Sequence, residues 1–376
     1  MKKQQPEQKQ VPLFLIFASC LIVAAVLLAM LTVTNGAAAP ASVETNLQAV
    51  YQQKLNNQIS EALDGLVPIK RVYTLNDSEI VAPEPNPECY GQVDTPQQMQ
   101  EILERASELL DGQKMLFTPQ TEIVEGTPIR YYLDDTIFAI TWKQPVDNCV
   151  YTFSEVKIAH ASQLRRFLSE GKYNSGILHT TTEMSESVNA VVAASGDYYG
   201  YREIGIVVND GKVYRDRGHF LDTCYIDKNG DLLFTYAGEF TEREPLQAFV
   251  DENDIRFSIC FGPVMVLDGE YRVPERYNSG EINNPYARAA LCQLGELHYA
   301  VVAANAEDPY FSMPTVAKFG KRLQEMGIPV AYTLDGGQTA SIVMNDQLIN
   351  SVSYGSQREI SDIFYFATAL NTDGKE

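Results

Sequence analysis

The sequence predicts an α+β domain, mixed α/β in content, with a largely antiparallel sheet, several hairpins and flanking helices, behind an N-terminal transmembrane helix. Three observations predict this. Tight-turn signals recur between apolar runs, at Asn209-Asp210-Gly211, Asn229-Gly230, Asp268-Gly269 and Asn345-Asp346, and each marks a hairpin. Helical stretches interrupt these runs only at 245–252 and at Pro314–Met326, the latter stopped by Gly327, so the chain is no regular alternation of strand and helix. Val11 to Val33 is an apolar stretch of membrane-spanning length, preceded by lysines.

Taken in order, residues 1–10 read as a cytoplasmic tail and 11–33 as a signal anchor, because lysines on the short N-terminal side keep that side in the cytoplasm. Small-residue sites at Ala37-Ala38-Ala39 and Ala39-Pro40-Ala41 leave cleavage open, but the apolar run exceeds the about 7–15 residues of a signal peptide and favours retention. The expected localisation is the cell membrane, single-pass, with the C-terminal body outside the cytoplasm. Residues 34–128 read as a stalk, linker and accessory helical region. Within them 42–67 is weakly amphipathic, 76–95 holds Pro83, Pro85 and Pro87, and Thr95-Pro96-Gln97-Gln98 starts a helix running to Leu110. The main domain is expected at 129–372, with strands at Thr136–Trp142 and Cys149–Ile158 and a short helix at His160–Ser169.

The 376 residues hold 29 basic and 49 acidic side chains, a net charge of −20. This balance argues against nucleic acid and against anionic lipid as ligands of the body, and requires a local arginine cluster for any anionic substrate. Of six cysteines, Cys20 lies in the membrane stretch; Cys89, Cys149, Cys224, Cys260 and Cys292 have no metal spacing. Export permits disulfides, yet Cys224, Cys260 and Cys292 fit best as small buried strand residues. His160, His179, His219 and His298 are too dispersed for a zinc site, so no metal and no cofactor are expected. There is no Gly-x-Ser-x-Gly elbow, phosphate-binding loop, His-Glu-x-x-His or Gly-x-Gly-x-x-Gly.

Four segments carry candidate chemistry. In Tyr332 to Ser341 an apolar run stops at Asp335, followed by Gly336 and Gly337, which admit close backbone approach. With the hydroxyls of Thr339 and Ser341, this is either a polar pocket or a plain turn. In Ala193 to Arg202, an apolar strand runs into Gly196-Asp197, then Tyr198 and Tyr199, then Arg202. That is either a site for a sugar with an anionic substituent or a surface turn with packing tyrosines. Phe261 to Gly269 reads as a strand and turn. Arg288 enters a small-residue apolar run, where a guanidinium needs a structural partner or a phosphate.

In this order the segments resemble the phosphodiester glycosidase family, which includes N-acetylglucosamine-1-phosphodiester alpha-N-acetylglucosaminidase and many bacterial envelope proteins. The resemblance spans Thr136 to Ala369 and closes on Arg358-Glu359-Ile360-Ser361-Asp362-Ile363. It implies hydrolysis of a sugar-1-phosphodiester at the glycosidic bond, in an envelope glycan or exopolysaccharide. Asp197, Asp335 and Arg288 would be catalytic, and Arg202, Tyr198, Tyr199, Gly196, Gly336, Gly337 and Thr339 would bind substrate. The chain departs from the family at Ser195, usually Asn; at Gln338, usually a third glycine; at Thr339 or Ala340, usually Ser; at Asn305-Ala306-Glu307, usually containing Asp-Gly-Arg; and at Phe311-Ser312-Met313-Pro314. These departures leave an alternative, a catalytically weakened relative that binds glycan or scaffolds other envelope proteins.

Overall fold

The computed structural model of the chain describes residues 74–76, 80–277, 282–305 and 313–370. Val72–Glu376 is one compact unit, and Met1–Arg71 is a separate one outside the described residues. The expected membrane stretch and the 42–67 stalk therefore lie outside the description, as do Ala306, Glu307, Phe311 and Ser312. Among the described residues no helix is long and apolar enough to cross a membrane.

The strands in chain order are β1 Tyr90–Val93, β2 Ile129–Leu133, β3 Ile137–Val146, β4 Cys149–Ile158, β5 Leu164–Leu168, β6 Val192–Ser195 and β7 Gly205–Asn209. There follow β8 Lys212–Arg217, β9 Thr223–Asp227, β10 Leu232–Thr235, β11 Ile255–Ile259, β12 Val264–Leu267 and β13 Glu270–Tyr271. The last are β14 Arg288–Gly295, β15 His298–Asn305, β16 Val330–Leu334, β17 Ile342–Met344, β18 Gln347–Leu348 and β19 Asp362–Phe366. The helices are α1 Pro96–Arg105, α2 Ser107–Leu110, α3 Thr181–Ser187, α4 Arg243–Glu252 and α5 Val316–Glu325.

Three sheets result, in the orders β1-β2-β3-β4-β15-β14-β16-β12-β13, β10-β9-β11-β7-β8 and β18-β17-β6-β19-β5. Their ladders are antiparallel, as in the long β3–β4 and β4–β15 pairs. The predicted turns join β7–β8, β9–β10, β12–β13 and β17–β18, and Asp210, Gly211, Asp268, Gly269, Asn345 and Asp346 all take positive φ. Two left-handed central residues match the right-handed strand twist, which selects Asn, Asp and Gly there.

The large sheet is buried on both faces. One face packs under α1, α2 and α5 through Trp142, Phe153, Phe319 and Leu323, and the other packs on both smaller sheets through Val192, Ile226, Phe257, Tyr332 and Phe364. The outer faces of the smaller sheets are covered by α3 and α4. Thr95 caps α1 reciprocally with Gln98, and β1 lengthens the large sheet by pairing with β2. The region before Ile129 thus adds an edge strand and core side chains to the unit.

One local expectation is corrected. His160–Ser169 is a single 3-10 turn, Ala161–Gln163, followed by β5. Pairing of Leu164–Leu168 with Phe366–Asp362 of β19 overrides the local helical pattern.

Candidate active site

Four strand ends supply the candidate site: the ends of β6, β11 and β16 and the start of β19. Where β6 runs out, Gly196 donates its N–H to the Asp362 carbonyl (3.1 Å) and Asp197 donates its own to Asp362 Oδ1 (3.0 Å). A Cβ on Gly196 would collide with the Asp362 carboxylate. The glycine is therefore needed for a close approach inside the protein.

Asp362 is fully buried, and its Oδ2 accepts from Arg166 Nε at 2.7 Å. Arg166 Nη1 also donates to the carbonyls of Val208 (3.0 Å) and Ser258 (2.6 Å), which fixes β5 to β7 and β11. Burial pushes the Asp362 carboxyl up to about 6; Arg166 opposes that shift and Asp197 adds to it.

The Asp197 carboxylate is fully engaged in the same way. Oδ1 accepts from Arg202 Nη2 (2.9 Å) and Oδ2 from the Cys260 amide (2.9 Å), and the side chain has no exposure. Arg202 also donates from Nη2 to the Cys260 carbonyl and lies over the rings of Tyr198 and Phe261, 5.8 and 5.5 Å from their centroids. Its Nε is buried with no hydrogen-bond partner among the described residues.

Asp335 differs. Oδ1 accepts from the Gly336 amide (2.8 Å), while Oδ2 is buried with no hydrogen-bond partner among the described residues. Burial raises its pKa above the ordinary carboxylate range, and Thr339, Gly336, Arg358 and Arg202, in decreasing order, act against that shift. The loop is held from behind: Gly337 donates to the Ala287 carbonyl (3.0 Å), and a Cβ on Gly336 would strike that same carbonyl.

Arg358, from the closing Arg358–Ile363 motif, joins the site as a cation that the sequence does not single out. Its guanidinium lies 6.0 Å from the Tyr198 centroid and 5.8 Å from that of Tyr201, and these rings stack 5.0 Å apart. It makes no hydrogen bond or ion pair with any described residue. Tyr201 anchors through its hydroxyl on the Glu359 carbonyl (2.6 Å). The sequence signal available for this cation was its position four residues before Asp362 in the motif.

Other expected site residues are placed elsewhere. Tyr199 is 2% exposed, stacks on Tyr173 at 5.3 Å and donates to the Ser361 carbonyl (3.3 Å), so it builds core where a sugar contact was expected. Thr339 and Ser341, expected to line a polar pocket, are buried. The Thr339 hydroxyl donates to the Gly336 carbonyl (2.6 Å), and that of Ser341 is bonded to Thr181 (2.6 Å). Ser195 donates its hydroxyl to the Thr339 carbonyl, which ties the Asp197 turn to the Asp335 loop. Arg288 is buried and donates to the carbonyls of Asn284 (2.6 Å) and Pro314 (3.4 Å), beneath Tyr286. These contacts connect it to the stretch before β14 and to the start of α5. Cys224 in β9 and Cys292 in β14 are buried strand residues, Cys260 is buried one residue past β11, and none of the three forms a disulfide.

The site is thus an arginine- and tyrosine-lined wall around one unpartnered carboxylate oxygen, on an antiparallel α+β scaffold. The comparisons with known proteins agree with this class. Residues 188–367 match the phosphodiester glycosidase family model, a span that runs from the approach to β6 through β19 and holds every residue of the wall. Across those residues the resemblance read from the sequence is therefore shown. Among solved structures, the catalytic domain of zebrafish N-acetylglucosamine-1-phosphodiester alpha-N-acetylglucosaminidase, auto-inhibited by its pro-peptide, aligns with a TM-score of 0.50 at 18% identity, covering 66% of this chain and 86% of that one. A hypothetical protein from Synechocystis aligns with a TM-score of 0.43 at 12% identity, covering 64% of each chain. No curated protein sequence matches. Family and fold together support a glycosidase-type function.

Proposed function

We propose that this chain hydrolyses a sugar-1-phosphodiester at its glycosidic bond. The observation that carries the reading is Asp335 Oδ2, buried and without a hydrogen-bond partner among the described residues, in a wall where the charges of Arg358 and Arg202 both act on it. Buried polar atoms without partners cost about 1–3 kcal/mol each, and folding alone gives no reason to keep them. A substrate phosphate supplies acceptors for Arg358 and Arg202, and a water or a sugar carbon supplies the partner for Asp335.

In the reaction, the bond from the anomeric carbon to the phosphate oxygen breaks and the phosphate monoester leaves with the bonding electrons. A water oxygen bonds to the anomeric carbon, and the water proton passes to Asp335 Oδ2. Arg358 and Arg202 stabilise the charge gathering on the leaving phosphate, so no strong acid is needed on that side. Asp197 serves by orienting Arg202, since both its oxygens are occupied. Tyr198 offers a half-buried ring beside both arginines. The natural setting that fits the Val11–Val33 stretch is a membrane-anchored ectoenzyme acting on a phosphate-linked envelope glycan.

The test is release of free sugar from a panel of sugar-1-phosphodiesters by the purified chain beside Asp335→Asn. Release by the wild type alone supports the reading. A folded wild type that frees no sugar from any member overturns it.

A further inference from the structure

Beside the Asp335 loop runs a second loop, residues 351–358, whose features go beyond what folding asks of it. Tyr354 is 92% exposed, makes no side-chain hydrogen bond to a described residue, and sits at φ 61, ψ 12 inside the short turn Ser353–Gly355. A tyrosine in the left-handed region is strained, and such strain concentrates at binding sites. Gly355, next along, also has positive φ (73°). The turn thus has a residue suited to that conformation and still presents an aromatic ring to solvent.

The loop is fixed to the site. Gln338, between Gly337 and Thr339, donates from Nε2 to the carbonyl (3.1 Å) and hydroxyl (3.3 Å) of Ser356. Arg358 returns a backbone hydrogen bond to the Gln338 carbonyl (3.4 Å), and Gly355 closes the turn onto Val352 (3.1 Å). Tyr354 stands four residues from Arg358, so their Cα atoms are at most ~14 Å apart, within reach of a short oligosaccharide whose phosphate lies on Arg358. The side chain of Gln338, which replaces a bare glycine, makes this bridge.

We infer that Tyr354 is a stacking platform for a neutral sugar ring beyond the scissile phosphate, so that the substrate is a phosphate-linked oligosaccharide or polymer and not a small diester. The inference rests on the phosphodiester reading above. The apolar C–H face of a pyranose meets the electron-rich face of an aromatic ring, and the exposed Tyr354 ring has both faces open to such a contact. Neutral units suit the surface, because a chain of net charge −20 repels a polyanion.

Two measurements on the full chain separate this inference from the reading beneath it. The first is calorimetric binding of three neutral probes, maltotetraose, cellotetraose and chitotetraose, to wild type and Tyr354→Gly, a substitution that suits the positive φ. At least one probe should bind the wild type, with Kd raised tenfold or more in the variant. No binding of any probe, or equal binding by both proteins, overturns the inference whether or not the chain is an enzyme. The second compares hydrolysis of a sugar-1-phosphate methyl ester with that of the same sugar phosphate esterified to the bound oligosaccharide. Tyr354→Gly should raise KM about tenfold for the second and leave the first within twofold. Equal losses on both would mark a merely structural role and also overturn it, while silence on both substrates with binding intact would count against the phosphodiester reading alone.

Discussion

The turns that present Asp197 and Asp335 start from the same plan and are completed differently. Each follows a buried strand, and each uses a glycine so that the chain can press against another backbone or carboxylate. In the first, both oxygens of Asp197 are matched by Arg202 and Cys260, and Asp362 and Arg166 brace it from beneath. In the second, Asp335 has one oxygen matched by its own loop and the other by no described residue. The difference separates structural charge from chemical charge. A carboxylate whose acceptors are full holds its neighbours in place, while one left short is available to a substrate.

The strongest challenge to this division is Asp335→Asn. If Asp335 moves the proton, kcat should fall on the order of 10²–10⁴-fold, measured by sugar release, while the melting temperature holds or rises because a buried, half-matched carboxylate has been removed. A variant that keeps its rate would erase the distinction. Asp197→Asn should show the reverse emphasis. It leaves Arg202 buried without its counter-ion, and breaking a buried pair costs about 3–5 kcal/mol. Urea unfolding should therefore reveal a large loss of stability, and a normal denaturation midpoint would show that Asp197 is not structural.

The arginines extend the contrast. Arg358→Ala should raise KM roughly ten- to a hundredfold, the worth of about one to two charge-assisted hydrogen bonds, with stability almost unchanged because the Arg358 guanidinium makes no hydrogen bond to a described residue and its backbone bond to Gln338 is kept. A fall in stability matching that of Asp197→Asn would place Arg358 with the framework.

Much of this architecture was legible because its causes are local. Asn345-Asp346 and Asp268-Gly269 announce their hairpins through the backbone angles they tolerate, and Thr95 with Gln98 announces a capped helix. What could not be read depends on partners distant in sequence. β5 looks helical until β19 pairs with it. Tyr198 and Tyr199 are neighbours with the same side chain, and only the 3-10 turn Tyr199–Tyr201 decides that one faces Arg358 and the other Tyr173. Arg358 becomes a candidate ligand only when the rings of Tyr198 and Tyr201 are brought beneath it. The two aspartates, alike as strand-end carboxylates before glycines or tyrosines, are told apart only by their hydrogen bonds.

pH gives a finer test of the carboxylates. Burial raises Asp335 above the ordinary range and Asp362 to about 6. A group whose folded pKa lies above its unfolded value of about 4 holds its proton more tightly in the native state. Its stabilising contribution is therefore complete below that unfolded value and is lost as pH rises through the folded one. The urea midpoint should decline from about pH 4 to beyond 6, and less steeply in Asp335→Asn, which removes one raised carboxyl and leaves Asp362, Asp222 and Asp346, all raised chiefly by burial. Parallel profiles for wild type and variant would show that Asp335 does not titrate as its burial demands.

The smallest effect is expected from Gln338→Gly, which restores the bare backbone usual in the family. The Gln338 side chain reaches to Ser356, so its bulk is directed along the neighbouring loop. Removing it loses one exposed hydrogen-bonded bridge, about 0.5–1.5 kcal/mol at most, and should leave turnover of a small sugar-1-phosphodiester within about twofold, since Asp335 and Arg358 keep their own supports through Gly336 and the tyrosine rings. If turnover instead rose tenfold or more, Gln338 would be an obstruction over the reacting carboxylate, and the departure from the family pattern would mark a weakened enzyme. An unchanged rate on the small substrate, with weaker binding of oligosaccharide, would mean that the same substitution had moved the glutamine from the chemistry of the site to its reach.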